Sequence, residues 1–262
     1  MPEIKLTFDA ADDYDRFMGR WSRAIGEKFL AWLAPPPGAR WLDVGCGTGA
    51  FSELILRSAA PAALSGIDPS PQQIDFVRKR LPAHTFEVAD SATMPFGDGA
   101  FDVTASALVL HFIPDRMKAF AEMKRVLRAG GLVGGYTWRR TAESDMAAYW
   151  PMMRGAEAVG GQALRSATVP EGTQEGMRAS LAAAGFVDIA TTEIEVSQTY
   201  ASFDDYWESQ TRPSSPPGRT VAALDERQRT KMRDMLRETM PASDGTVTYS
   251  SIALAGKARK PE

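Results

Sequence analysis

The sequence is poor in the residues that build crosslinks: Cys46 is the one cysteine among 262 residues. A lone cysteine excludes an internal disulfide and a zinc site of several thiolates. No apolar run approaches the length of about eighteen residues that a membrane span needs, and no basic-then-apolar leader opens the chain. Neither sign of charge dominates. The 30 basic and 33 acidic residues leave a formal net charge of −3, without the basic footprint of a nucleic-acid binder. Internal repeats and low-complexity tracts are also missing. These absences predict a cytoplasmic, unexported protein whose partner is a small molecule, with no nucleic acid, no membrane and no metal.

What is present is a core. A hydrophobic content of 44% in 262 residues suits one α/β domain with insertions. Residues 12–34 carry Tyr14, Phe17, Trp21, Ile25, Phe29, Leu30 and Leu33 at helical spacing, and the helix stops at Pro35-Pro36-Pro37-Gly38. Strands and helices then alternate. Strand one ends at Val44, a helix runs through residues 50–57, and strand two covers 62–67. Pro71 opens a helix to about Leu81, strand three lies near 84–88, and strand four runs from Phe101 to Ala105 and on through Leu110. A helix from Pro114-Asp115 is expected to end on the glycines of Ala129-Gly130-Gly131, before strand five at Leu132–Trp138. This alternation predicts a parallel sheet wound on both sides. Helical segments over 141–185 and 198–243 flank a strand at 187–196, and Val247–Ala255 is the last strand.

The chemistry concentrates in Trp41-Leu42-Asp43-Val44-Gly45-Cys46-Gly47-Thr48-Gly49. A buried strand, a glycine turn and a helix N-terminus near Thr48 remove side chains where a ligand must approach backbone. The glycines alone also fit the dinucleotide pattern G-x-G-x-x-G/A, which leaves a nicotinamide-dependent oxidoreductase open. Asp68, at the end of strand two, is placed to accept hydrogen bonds from ribose hydroxyls in either cofactor class. Asp90 follows strand three at the same strand-end level, and Pro95-Phe96-Gly97-Asp98-Gly99-Ala100-Phe101-Asp102 leads into strand four.

Taken together, D-x-G-x-G-x-G, the acid closing strand two, the acid after strand three and P-F-x(4)-F-D resemble the class I S-adenosylmethionine-dependent methyltransferases. The likeness is to their small-molecule branch, which includes the ubiquinone/menaquinone-biosynthesis type, and it covers at least residues 12–140. It implies a Rossmann-like, doubly wound, mostly parallel seven-stranded sheet whose last strand slips antiparallel between strands five and six. It further implies a single domain over 1–262, with an N-terminal covering helix (12–34), a cofactor-binding core (39–140) and helical cap insertions (141–185 and 198–243).

The cofactor implied is S-adenosylmethionine. Gly45, Gly47 and Gly49 would admit its amino acid moiety and ribose, with Cys46 a small packing residue between them. Asp43 would hold the turn and, directly or through water, the ammonium. Asp68 would take the ribose diol, Pro69 and Ser70 would pack beside adenine, and Asp90 with Ser91 and Ala92 would recognise the adenine amine. Leu108 would floor the site, and Tyr14 and Arg20 of the covering helix would contact the cofactor.

His111 is the candidate base or pocket-lining residue, histidine being the natural base near neutral pH; His84 is expected to be structural. Methyl transfer is an in-line displacement from a reactive sulfonium, for which positioning the nucleophile can suffice. Trp21, Trp138, Arg139, Tyr149 and Trp207 are the further substrate candidates, with Arg139 or Arg140 anchoring an acidic group. Met146, Trp150, Met153 and Tyr206 add to apolar walls that predict a small, largely apolar or aromatic acceptor, methylated on oxygen or nitrogen. A non-catalytic S-adenosylmethionine-binding protein remains the alternative from another functional class.

Overall fold

The computed structural model describes residues 11–139, 148–162, 169–212, 215–240 and 244–262, with side chains from residue 21 onward. Its elements run in the order α1 (Ala11–Leu33), β1 (Arg40–Val44), α2 (Ala50–Ser58), β2 (Ala63–Asp68), α3 (Pro71–Arg80), β3 (Thr85–Val88), β4 (Phe101–Ala107), α4 (Arg116–Val126) and β5 (Leu127–Trp138). There follow α5 (Trp150–Ala158), α6 (Gln174–Ala183), β6 (Val187–Tyr200), α7 (Phe203–Gln210), α8 (Pro216–Ala222), α9 (Glu226–Thr239) and β7 (Val247–Arg259). The seven strands lie in the order β3-β2-β1-β4-β5-β7-β6. β1 to β5 pair in parallel, and β7 runs antiparallel to β5, with Tyr136 opposite Ala255. The last strand thus lies between strands five and six, as the resemblance implied.

The chain divides into two compact units. The sheet unit comprises Ser22–Thr141, Thr168–Ile194 and Ala253–Glu262; the helical unit comprises Met1–Trp21, Ala142–Ala167 and Glu195–Ile252. α6 therefore falls in the sheet unit, while α5, α7, α8 and α9 fall in the helical one.

In the sheet unit, α1 from Ser22 onward buries Ile25, Phe29, Leu30 and Leu33. A Cβ on Gly134 would collide with Leu33 and Phe29, so glycine in β5 lets this helix lie directly on the sheet. Phe29 stacks on Tyr136 with ring centroids 4.9 Å apart. The other face buries Leu42, Val44, Val133, Leu254, Phe120 and Met123. Helix starts follow side-chain caps: Ser70 Oγ accepts from the Gln73 N–H, and an Asp115 carboxylate oxygen accepts from the Lys118 N–H.

Several boundaries differ from the sequence reading. α4 ends at Val126, not on the glycines. Leu127 is already extended, and Gly130 (φ 65°) gives its N–H to the Lys260 carbonyl in a bulge beside β4. Strand four stops at Ala107, because Leu108 turns left-handed (φ 58°) and Leu110–Phe112 form a 3-10 turn. β6 and β7 run to 14 and 13 residues, longer than their short apolar patterns suggested.

Candidate functional site

β1 to β4 end along one edge of the sheet, and the residues singled out in the sequence collect there. Asp43, next to last in β1, is fully buried opposite Gly66 of β2 and Ala105 of β4. Its Oδ2 accepts a 2.6 Å hydrogen bond from Ser52 Oγ on the first turn of α2. Its Oδ1 is buried without a hydrogen-bond partner. Burial pushes the Asp43 pKa up to about 7; the Ser52 hydrogen bond opposes that shift and the charge of Asp68 adds to it. A buried carboxylate with one idle oxygen fits a cationic donor, and is costly to ionise until it has one.

Beyond Val44 the chain is tied to β2. The N–H groups of Gly45 and Cys46 both donate to the Ile67 carbonyl, at 2.8 and 2.9 Å. Asp68 then closes the loop: Oδ2 accepts the Gly47 N–H at 3.1 Å and Oδ1 accepts the Ser70 N–H at 2.9 Å. Burial raises the Asp68 pKa, while those two backbone N–H groups hold it down. Each oxygen keeps a second lone pair, so this carboxylate still has acceptors for a diol. Pro69 is exposed, and Ser70 serves as the cap of α3.

The loop glycines are there for different reasons. All three have positive φ, at 78° for Gly45, 52° for Gly47 and 83° for Gly49. A Cβ on Gly45 would run into Val109, and one on Gly49 into Val77. Gly47 alone has open space on that side, where the nearest atom is Gln73 Oε1 at 4.0 Å. Backbone can therefore meet a ligand at Gly47, whereas Gly45 and Gly49 are packed against the protein's own valines. α2 starts at Ala50, with Gly49 as its left-handed cap, two residues later than Thr48. Cys46 packs with Ile74, Val77 and Phe86, and burial holds its thiol well above the usual range.

Two polar residues of this region escaped the sequence reading. Ser52 supports Asp43, and Gln73, buried on the first turn of α3, has its Oε1 without a partner. Each is one of several polar residues in its helix, so no pattern marks it. Only the fold shows that both are buried beside the loop.

Past β3, Asp90 is exposed and forms an Asx turn. Its Oδ1 accepts the Ala92 N–H at 2.7 Å and its carbonyl accepts from Thr93. Ser91 and Ala92 are partly buried. At the end of β4, Leu108 is 3% exposed and donates its N–H to the Tyr136 carbonyl at 2.9 Å. Its left-handed backbone costs a leucine about 1–2 kcal/mol, and the same turn lays Val109 against Gly45. His111 sits on the 3-10 turn with Nδ1 3.3 Å from Thr137 Oγ1 of β5, and its ring is 3.9 Å from that of Phe112. His84 lies apart, partly buried between α3 and β3.

The remaining candidates divide between the two units. Trp138 is buried at the end of β5, and Arg139 Nη1 is bound to Glu193 Oε2 at 2.9 Å, so an internal carboxylate already holds this arginine. Within the helical unit, Tyr149 meets Trp150 edge-on, and Trp207 packs on Phe203 with the Arg233 guanidinium 5.8 Å from its ring. Trp21 is buried. Tyr14, Arg20, Arg140 and Met146 fall outside the described side chains.

The Pro95–Asp102 segment is structural. Asp102 lies at the start of β4, the end opposite the loop. There it accepts from the Arg40 N–H at 2.8 Å, Arg40 Nε at 3.0 Å and Arg128 Nε at 2.7 Å. These hydrogen bonds and charges, Arg40's first, hold its carboxyl well below the usual range. Arg125 of α4 grips the segment before it, reaching the Phe96 carbonyl at 2.7 Å and Asp98 at 2.8 Å.

Residues 42–134, the span from β1 to the middle of β5, match the family model described as a methyltransferase domain. Malonyl-[acyl-carrier protein] O-methyltransferase of Serratia marcescens is 31% identical over 150 residues, 57% of this chain and 58% of that protein. The 2-methyl-6-phytyl-1,4-hydroquinone methyltransferase of Synechocystis sp. is 30% identical over 187 residues, 68% of this chain and 56% of that protein. The chain thus spans a little over half the length of these curated relatives. Among solved structures, phosphoethanolamine N-methyltransferase 2 of Haemonchus contortus, with phosphomonomethylethanolamine and S-adenosylhomocysteine, shares the fold at a TM-score of 0.59 and 17% identity. That match covers 96% of this chain and 57% of the other. With the glycine loop, the two strand-end acids and the antiparallel seventh strand in place, residues 42–134 form a methyltransferase domain of the class I, S-adenosylmethionine-dependent kind.

Proposed function

We propose that this protein transfers a methyl group from S-adenosylmethionine to a small-molecule acceptor. The observation that carries the reading is the idle, buried Oδ1 of Asp43 beside a loop whose one open glycine is Gly47. The amino acid end of the cofactor supplies the cation that Asp43 lacks, and Asp68 has lone pairs for its ribose hydroxyls. Asp90, past β3, takes the adenine amine. Bound there, the cofactor supplies an electrophilic methyl group on sulfonium. The protein's share is to orient cofactor and acceptor in line and to exclude water. His111 lines the acceptor side of this edge, with Thr137 fixing its ring.

The acceptor class rests on two supports. The curated relatives are named for methylation of malonyl-acyl-carrier protein and of a hydroquinone, and the balanced charge offers no track for nucleic acid. A cytoplasmic setting accompanies this reading, since the sole cysteine is a buried thiol. No helix among the described residues is long and apolar enough to cross a membrane.

Calorimetry with S-adenosylmethionine, S-adenosylhomocysteine and NAD, followed by labelled-methyl transfer to a panel of phenols, acids and amines, tests the proposal. Binding of the first two without NAD, and label in a small product, is the expected result. Binding of NAD alone would reject the cofactor, and label entering only protein or RNA would reject the acceptor class.

A further inference from the structure

Among the described residues, the helical unit contains an arginine with one guanidinium edge that has no partner. Arg219 lies on α8, and its Nε and Nη2 are both buried with no hydrogen-bond partner. No carboxylate among the described residues forms an ion pair with it. Arg212 of the same unit also has a buried Nε without a partner, whereas Arg233 and Arg237 are satisfied. Asp204 binds Arg233 at 2.8 Å and Arg237 at 2.5 Å, and these two cations lie over the rings of Trp207 and Phe203.

Nε and Nη2 form one edge of the guanidinium, with two parallel N–H groups at the spacing of the two oxygens of a carboxylate. Leaving that edge dry and unpaired is expensive. Burial lowers the Arg219 pKa, which is the sign of a desolvated cation without a counter-charge. The edge is also held in place. α5 packs on α8 through Thr220 Oγ1, 3.8 Å from Met153 Sδ, and Ser215 Oγ fixes the first turn of α8 by accepting the Gly218 N–H at 2.9 Å. Met153 and Val221 are buried apolar neighbours along these helices, so the unit offers one charged fork in an apolar setting, the composition of a small-molecule site.

We infer that Arg219 is the carboxylate-recognising residue of a small-molecule site in the helical unit, taking an organic acid along its Nε/Nη2 edge. That this acid is the methyl acceptor rests on the function proposed above; that it binds at Arg219 does not. Arg139 was the sequence candidate for such an anchor, but Glu193 occupies it, and Arg219 has no such partner.

The test compares acids with their own amides: benzoate against benzamide, hexanoate against hexanamide, malonate against malonamide, each titrated into the whole protein at millimolar concentration. At least one acid should bind more tightly than its amide. Arg219→Gln should weaken that acid by about tenfold or more and leave its amide unchanged, and Arg219→Lys should fall between. Because the buried Nε and Nη2 groups of Arg219 have no partner to lose, Arg219→Gln should not lower the thermal midpoint of the free protein. Equal binding of every acid and its amide to the wild type overturns the inference, as does unchanged acid affinity in Arg219→Gln or Arg219→Lys. S-adenosylmethionine titrated into the same samples separates the two proposals. Cofactor binding without acid binding leaves the methyltransferase reading standing and removes this one, whereas acid binding without cofactor binding does the reverse.

Discussion

Ser52 holds one oxygen of the buried Asp43 carboxylate at 2.6 Å and leaves the other without a partner. The free energy of that half-satisfied acid depends on pH. Its pKa rises from an ordinary 3.8 to about 7 in the folded protein, with burial as the main cause. Between those values the native state holds a proton that the unfolded chain has lost. This group's contribution to stability is therefore full below the unfolded value and is lost as pH rises through the folded one, at up to about 1.4 kcal/mol per pH unit. Asp43→Asn should flatten that part of the stability curve and leave the ligand-free protein more stable at pH 8. Urea midpoints from acid to alkaline pH decide this, and identical slopes in the two proteins would disprove it.

The same carboxylate couples cofactor binding to protons. A cation beside Oδ1 favours the charged form, so binding below about pH 7 should release a proton and weaken as the solution is acidified. Calorimetry in buffers of different ionisation enthalpy measures the release. Asp43→Asn should lose it and bind weakly at every pH. Proton release that survives the substitution would assign it to another group.

Gly47 and Gly49 share a positive φ and should respond differently to alanine. Gly49→Ala drives a methyl group into Val77, adding overpacking of about 1–3 kcal/mol to a left-handed strain of about 1–2 kcal/mol. Gly47→Ala meets open space and carries the strain alone, but its methyl group stands where the ligand approaches. The expected outcome is a folding defect at Gly49 and a binding defect at Gly47, read from denaturation midpoints and cofactor titration. A larger stability loss at Gly47 than at Gly49 would contradict the assignment.

Most of the fold was legible because its signals are local. Asp115 and Ser70 cap helices where the sequence placed helix starts, and the Trp41–Gly49 string announces strand, turn and helix in nine residues. The errors arose where a tertiary contact overrode a local signal. Gly130 looks like a helix stop, yet its N–H is claimed by Lys260, more than a hundred residues away in the chain. Leu108 belongs to an apolar run, but its N–H bond to the Tyr136 carbonyl goes with a left-handed turn that no leucine advertises. At the site, the acids were legible through their spacing. The supporting Ser52 and Gln73, and the unpaired state of Arg219 against the paired state of Arg139, depend on three-dimensional neighbours and leave no trace in one sequence.

Asp102 joins the starts of β1 and β5 through Arg40 and Arg128. Its depressed pKa means that this contribution is full above the ordinary aspartate value of about 4 and is lost as the carboxyl protonates below it. Both arginines are substantially exposed, so solvent screening keeps the pair modest, about 1 kcal/mol. Asp102→Asn should lower the midpoint slightly at neutral pH, reduce the acid sensitivity of the wild type, and leave cofactor affinity unchanged, because it lies at the far end of the strands. A large loss of cofactor affinity in a folded Asp102→Asn protein would return this motif to the site.

Asp68 offers the sharpest test of the cofactor, because it serves both the loop and the ligand. Its oxygens receive the Gly47 and Ser70 N–H groups, yet each has a lone pair to spare. Asp68→Ala removes a charged acceptor from two ribose hydroxyls and should weaken S-adenosylmethionine by about 1–3 kcal/mol. It also unties the Gly47 N–H, so some of that loss could come from a loosened loop. Asp68→Glu separates the two effects: it keeps the charge but displaces it by a methylene, and should spoil the loop contacts while retaining reach to a diol. If the ribose is the partner, 2′-deoxy and 3′-deoxy analogues should bind the wild type more weakly than the parent cofactor. In Asp68→Ala that discrimination should vanish, whatever the loop does. Discrimination that persists undiminished in a folded Asp68→Ala protein would show that another residue reads the ribose.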